Sequence, residues 1–207
     1  MKMTTANQPG TEELAYTRSL QTRGSVWWKR VLCVQAPYRW NIRRLVQGFV
    51  LDLGCGLGRN LAHLDGRGVG VDHNPHSVAV ARTRGLQAFV PAEFAASPFN
   101  RPGRFDALLL AHVVEHMNPA EAVDLVRRHL PLVRASGQVI VICPQEAGYA
   151  SDPTHVTFMR FAELRALAHA AGLTFEREYS FPFPRFVGRI FRHNEFVMVA
   201  RNAVGPN

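Results

Sequence analysis

The run Val50-Leu51-Asp52-Leu53-Gly54-Cys55-Gly56-Leu57-Gly58 constrains this chain more than any other part of it. A short apolar stretch interrupted by one acid leads into three glycines at alternate positions, the pattern of a buried strand that ends in a tight turn before a helix. Glycine at such a turn permits positive φ and lets a ligand approach the backbone with no Cβ in the way. A second apolar run, Val69-Gly70-Val71, closes on Asp72, twenty residues after Asp52. A carboxylate in that place can accept hydrogen bonds from ribose hydroxyls. A nicotinamide-binding turn needs Gly-x-Gly-x-x-Gly. The sixth residue from Gly54 is Arg59 and from Gly56 is Leu61, so the spacing excludes that use.

Strand-like and helix-like runs alternate around this motif. Strands are expected near 49–53, 68–72, 87–90, 105–111 and 138–143, and helices near 58–64, 75–84 and 119–134, the last opened by Asn118-Pro119. Alternation of this kind implies a doubly wound α/β architecture, with parallel strands and helices on both faces. A helix over 161–171 stops at Gly172, and strand-like runs follow at 173–180 and 194–201, joined by a proline- and aromatic-rich connection, Phe181 to His193. Upstream, residues 1–10 read as disordered, 11–22 and 25–35 as helical, Pro37 as a break and Trp40 to Val46 as a resumed helix. At 207 residues, 47% hydrophobic and 19% charged, the chain is expected to form one domain over 11–207, with 11–47 as covering helices.

The acid-x-Gly-x-Gly-x-Gly pattern of Asp52, Gly54, Gly56 and Gly58 resembles the first motif of class I S-adenosylmethionine (SAM) dependent methyltransferases. The likeness continues through Asp72, Phe105-Asp106-Ala107-Leu108-Leu109-Leu110 and Gly137-Gln138-Val139-Ile140-Val141-Ile142, covering roughly residues 36 to 201. It implies a Rossmann-like, mostly parallel seven-stranded sheet with an antiparallel last strand, and SAM as cofactor. Amides of Gly54, Cys55, Gly56 and Gly58 then face the methionine portion, Asp52 orients the loop or meets the amino group, and Asp72 with His73 lies at the ribose. Many members carry Asp-Ala or Asp-Val after the third strand. This chain has Pro91-Ala92-Glu93-Phe94, which leaves the backbone of Ala92 or Glu93 to read adenine. Tyr38 and Arg39 are candidates for the cofactor carboxylate, against a plainer reading as a packing tyrosine and a surface arginine.

After the fourth strand comes Ala111-His112-Val113-Val114-Glu115-His116-Met117. On a helical turn His112, Glu115 and His116 share one face. The string matches the H-x-x-E-H of inverted zinc proteases, but that motif needs a helix in a protease architecture. Together with His155, on the loop after the fifth strand, these residues bring three imidazoles and a carboxylate to neighbouring strand ends. Such groups serve either as a general base or as ligands for a divalent metal, Mg or Mn. A packing role is the plainer alternative. The arrangement is similar to that of RNA 3′-terminal 2′-O-methyltransferases, which hold a metal with a Glu-x-x-Glu-His turn and a later histidine; here His112 replaces the first glutamate. A neutral hydroxyl is a poor nucleophile and needs a base or metal, whereas a carbon or amine needs less, so the cluster favours O-methylation.

Candidate acceptor walls are Trp27, Trp28, Tyr149, Phe158, Phe181, Phe183 and Phe186, with Arg185 and Arg189 among them. They suit a small-molecule acceptor, a sugar or glycoside or an aromatic metabolite; a quinone-like lipid methylated on carbon and an RNA strand end are the alternatives. The net charge of +8 is spread over scattered arginines, with Lys2 and Lys29 the only lysines and no basic block longer than a pair. That is a diffuse solvated surface, as GC-rich bacterial codon usage would produce, rather than a nucleic-acid tract. Cys33, Cys55 and Cys143 form no C-x-x-C pair, and Cys55 inside the glycine turn reads as a small packing residue. With no signal-peptide core in Met1 to Gly10 and no apolar span of ~20 residues, a cytoplasmic monomer or homodimer is expected.

Overall fold

In the computed structural model, which describes residues 35–203, the alternating runs assemble into one seven-stranded sheet. The strands are β1 (Val50–Leu53), β2 (Gly68–Val71), β3 (Ala88–Phe89), β4 (Phe105–Ala111), β5 (Val133–Pro144), β6 (Leu173–Phe181) and β7 (Glu195–Asn202), in the order β3-β2-β1-β4-β5-β7-β6. β1 to β5 are mutually parallel, and β7 lies antiparallel to both β5 and β6. The helices are α1 (Ala36–Leu45), α2 (Arg59–His63), α3 (Pro75–Thr83), α4 (Pro91–Ala95), α5 (Pro119–His129), α6 (Glu146–Tyr149) and α7 (Phe161–Ala170).

Successive strand residues point to opposite faces, which divides the core in two. Leu51, Leu108, Leu110, Val139, Val141 and Phe196 pack on one face with Val126 of α5 and Leu164 of α7. Val50, Leu109, Ile140 and Val197 pack on the other with Ile42 and Leu45 of α1 and Leu61 of α2. β1 and β2 are buried throughout, as strands of a sheet covered on both sides must be. The chain leaves β1 toward β2 and β3 in one direction and reaches β4 and β5 in the other. The carboxyl ends of β1 and β4 therefore flank the crevice where such sheets bind ligands.

Several boundaries depart from expectation for identifiable reasons. Pro37 sits in the first turn of α1, where its missing N–H costs nothing, so that helix starts at Ala36 rather than at Trp40; the helix expected upstream of Pro37 lies outside the described residues. The expected 119–134 helix ends at His129, because Pro131 cannot donate to a continuing helix and instead falls in a 3₁₀ turn. β5 therefore begins at Val133, paired with Phe105, five residues before the expected start at 138. The short helices α4 and α6 were not anticipated. α7 stops as expected, with Gly172 in the left-handed region at φ +75°. The expected disorder of 1–10, the helix over 11–22, nearly all of that over 25–35, and Trp27, Trp28 and Cys33 lie outside the described residues. Among the described residues no helix is long and apolar enough to cross a membrane.

Candidate active site

The glycine turn is held by backbone and one carboxylate. Gly54, Gly56 and Gly58 all take positive φ (+68°, +51° and +76°). The amides of Gly54 and Cys55 donate to Val71 O at 2.8 and 3.2 Å, tying the turn to the end of β2. Gly56 N donates to Asp72 Oδ2 at 2.7 Å, while Asp72 Oδ1 accepts from Asn74 N at 2.9 Å. Asp72 thus clamps the loop as well as facing the crevice. A carboxylate offers about four acceptor positions, and two remain for ribose hydroxyls. A Cβ at Gly54 would meet Val113 Cγ2 at 2.5 Å and one at Gly58 would meet Leu86 Cδ1 at 2.4 Å, whereas at Gly56 it would meet nothing within 4 Å. Of the three, Gly56 borders an open cradle. The Cys55 side chain packs with Val78, Ala81 and Ala88, and burial pushes its thiol pKa up, so only its backbone can serve a ligand.

Asp52 is fully buried, and neither carboxylate oxygen has a hydrogen-bond donor. Burial chiefly pushes its pKa up to about 7; Asn60 lies near enough to temper the rise, and Asp72 adds to it. A cationic amine placed beside it would satisfy both the charge and the lone pairs. An orphaned acid for the amino group, an open glycine cradle and free acceptor positions on Asp72 together fit SAM. Other expected contacts are less direct. His73 is exposed, with Nδ1 3.7 Å from Asp72 Oδ1. The Glu93 carboxylate is committed to Arg82 and the Val90 amide, which leaves only the amides at the start of α4, Ala92 among them, for adenine. Phe94 sits in the core against Phe89 and Phe105.

The Tyr38 hydroxyl donates to His193 O at 2.8 Å and its ring packs edge-on to Phe181, so it braces the 181–193 connection rather than reaching for a carboxylate. Arg39 is exposed on α1. Burial first, then Arg59, Arg39 and Arg43, push the His63 pKa down to about 4, which locates these arginines over α2.

The second cluster lies beyond β4. His112 takes φ +59°, and only Val114–His116 forms a 3₁₀ turn, so the expected shared helical face does not exist. His112 still meets Glu115, with Nδ1 3.2 Å from Oε1, while its Nε2 lies 3.0 Å from Glu195 Oε1 at the start of β7. The ring is 45% exposed, with a carboxylate facing each nitrogen. Desolvation there works against charge, but the Glu115 and Glu195 carboxylates outweigh it and push the pKa up to about 10. Both His112 nitrogens face carboxylates, which makes it a partner of Glu115 and Glu195 and leaves it outside the three residues whose ligand-type atoms converge. Burial likewise opposes ionisation of Glu115, and His112 more than offsets it, holding that carboxyl below the usual range.

Glu115, His116 and His155 do converge, with one ligand-type atom of each lying within 4.8 Å of the others. Their backbones are stapled together: Val156 N and Thr157 N donate to Glu115 O at 2.8 and 3.0 Å, and Thr157 Oγ1 donates to Met117 O at 2.8 Å. His155 Nδ1 bonds Tyr149 O at 2.8 Å, and His116 Nδ1 faces Thr154 O at 3.3 Å and Thr154 Oγ1 at 3.2 Å. Thr154 is itself set by Asp152, through an Asx turn that Asp152-Pro153-Thr154 signals in sequence. Glu195, 83 residues from His112, has no local signal at all.

Tyr149 stacks on His155 and leans on Phe158, placing both behind the cluster. Phe183 and Phe186 are exposed on the connection after β6, and nothing packs them directly on the histidines. That connection is anchored to α6 by the Arg185–Glu146 ion pair and by Asn194, whose side chain reaches Gln145, Ser180 and Phe183 O.

Comparison with known proteins gives three findings. Residues 51–141 match the family model described as a methyltransferase domain. No curated protein sequence matches the chain. Solved structures share its fold: a SAM-dependent methyltransferase from Archaeoglobus fulgidus (TM-score 0.64, 17% identity, 82% of this chain and 93% of that one). A chain in the complex between the Haloferax volcanii Trm112 methyltransferase activator and a methyltransferase aligns with TM-score 0.71 at 18% identity, over 95% of this chain and 100% of that one. The geranyl diphosphate C-methyltransferase of Streptomyces coelicolor A3(2), with Mg2+ and S-adenosyl-L-homocysteine, gives 0.60 at 12% identity over 84% and 80%.

Proposed function

We propose that this chain, a member of the class I SAM-dependent methyltransferases, methylates a hydroxyl oxygen of a small molecule, a sugar or glycoside or an aromatic metabolite. Asp52, the glycine turn, Asp72 and the first amides of α4 hold the cofactor. When bound, SAM supplies a methyl carbon on a cationic sulfur, which asks chiefly for an aligned nucleophile with a free lone pair. The observation that carries the oxygen reading is the meeting of Glu115, His116 and His155 next door to that site. The link is physical, because Val113, between His112 and Glu115, packs on Gly54.

A carbon nucleophile activated by its own conjugation has little use for two imidazoles held in fixed orientation. A hydroxyl does, since its proton must leave as the new bond forms, and a positioned acceptor is worth typically 10²–10⁴-fold. The Nδ1 contacts of His116 and His155 leave Nε2 as the free nitrogen of each ring. Tyr149 and Phe158 on one side and the Phe183 to Phe186 segment on the other supply flat apolar surface for an acceptor, joined through α6.

The test is a panel of glycosides, phenols, quinone-like lipids and short RNAs incubated with methyl-labelled SAM, products being read by mass spectrometry. An O-methyl product from a hydroxylated small molecule is expected, with turnover that holds between about 50 and 200 mM salt. RNA methylation that collapses over that range, as phosphate-driven binding does, or a C-methylated quinone, would contradict the reading.

A further inference from the structure

We propose that Glu115, His116 and His155 form a binding site for a first-row divalent transition-metal ion, with coordination positions left open toward the acceptor. The inference deepens the O-methylation reading and rests on it for the ion's role, although the site itself is argued from geometry alone.

Three observations point to an ion. First, Glu115 is fully buried, and although His112 Nδ1 stands 3.2 Å from Oε1 and meets part of the charge, no donor reaches Oε2, which is left with unfilled lone pairs. Second, both imidazoles are oriented as metal-binding histidines are, with Nδ1 held by a backbone carbonyl and Nε2 left over. The holding groups are Thr154 O for His116 and Tyr149 O for His155. Third, the three donors come from two loops that four named contacts lock together: the two amides on Glu115 O, Thr157 on Met117 O, and His116 Nδ1 on Thr154 O. The rings of His116 and His155 lie 4.8 Å apart, as two residues sharing one target do.

The spacing suits an ion after a small closure. Ligand atoms about 2.1 Å from a metal stand roughly 3–3.5 Å apart. The donors here lie within 4.8 Å of one another, wider than that spacing, so binding requires a small adjustment of the two loops that keeps the Nδ1 contacts in place. Two imidazoles and one carboxylate select manganese, iron, cobalt or zinc over magnesium, which prefers an all-oxygen shell. Three protein ligands leave sites for an acceptor oxygen; with the ion present the two Nε2 atoms would serve as ligands instead of proton acceptors, and the ion would make the hydroxyl more acidic, its proton passing to water.

The experiment is titration of Co2+ and, separately, Mn2+ into the full-length protein after EDTA treatment and dialysis. Co2+ is followed by visible d–d absorption and Mn2+ by electron paramagnetic resonance, with S-adenosylhomocysteine affinity as the folding control. One ion per chain is expected. His116→Ala/His155→Ala and Glu115→Gln should each weaken binding at least thirtyfold while S-adenosylhomocysteine affinity stays within twofold. Equal ion affinity in wild type and variants, or no uptake by wild type, overturns the site. The two readings fail separately. Hydroxyl methylation undiminished in EDTA by a protein that takes up no cobalt removes the ion and keeps the oxygen acceptor. Stoichiometric cobalt binding by a protein that methylates only carbon or RNA does the reverse.

Discussion

The two halves of the sheet edge are built by different means. Around β1 to β3 the site is backbone: three glycines, two amides on Val71 and one carboxylate reached across 16 residues. Around β4, β5 and β7 it is side chain: a glutamate and two histidines from loops 38 residues apart, backed by a pair that spans 83. A backbone site serves a ligand that never varies, because amides and positive-φ glycines hold their geometry whatever the neighbouring side chains do. A side-chain site can be retuned one residue at a time, which suits an acceptor that differs from one enzyme to another. The division predicts that each half can be damaged while the other is left intact.

The largest effect should come from the side-chain half. Replacing His116 and His155 together with alanine should cut turnover of a hydroxyl acceptor by roughly 10²–10⁴-fold, with S-adenosylhomocysteine affinity unchanged by calorimetry. Undiminished turnover would return both histidines to packing. Next is the backbone half. Gly56→Ala puts a methyl group into the open cradle, with nothing of the protein within 4 Å of it. It should weaken SAM binding at least a hundredfold while lowering stability only by the left-handed strain, about 1–2 kcal/mol. Gly58→Ala, driven against Leu86 at 2.4 Å, should show the opposite balance, with folding hit harder than expected from strain alone.

Asp52 gives a smaller effect of opposite sign. Its pKa rises from 3.8 to about 7 on folding, so the folded chain keeps a proton that the unfolded chain releases. Stability from this group is complete below pH ~4 and is lost as pH climbs through about 7. Asp52→Asn should therefore stabilise the ligand-free protein at pH 8 by about 2 kcal/mol, below the ~4 kcal/mol that 1.36 kcal/mol per pKa step allows, and should weaken SAM. A variant no more stable than wild type at pH 8 in thermal melts would mean Asp52 already has a partner. The smallest effect is on the acceptor wall: Phe186→Ala should raise acceptor KM a few-fold with SAM affinity constant, since the ring is exposed and supports nothing else.

The same contrast explains what could be read in advance. Asp52, the three glycines and Asp72 are separated by short spans and constrained by backbone sterics, so spacing alone locates them. The strand alternation was legible because it records which faces are buried. The long-range contacts of His112 and Tyr38 were not. His112 lies at positive φ outside the turn that sequence spacing suggested, and its partner Glu195 arrives through the antiparallel insertion of β7. Tyr38 finds His193, 155 residues away, through the packing of α1 over the sheet. Contacts of that range follow from the completed topology and leave no local mark. The prolines were legible only in part: Pro37 lies in the first turn of α1 and Pro131 in the 3₁₀ turn after α5, and a proline marks a helix start and a helix stop alike until the surrounding hydrogen bonds are known.

The separation of the two halves is tested most directly by calorimetric titration of S-adenosylhomocysteine into three proteins: wild type, Asp72→Ala and His116→Ala/His155→Ala. Asp72 both clamps Gly56 and offers acceptor positions to ribose, and hydrogen bonds to a charged group are worth about 1.5–3 kcal/mol each. Its loss should weaken binding at least tenfold, while the double histidine variant binds within twofold of wild type. A histidine variant weakened as much as Asp72→Ala would place the cluster inside the cofactor site and contradict the division.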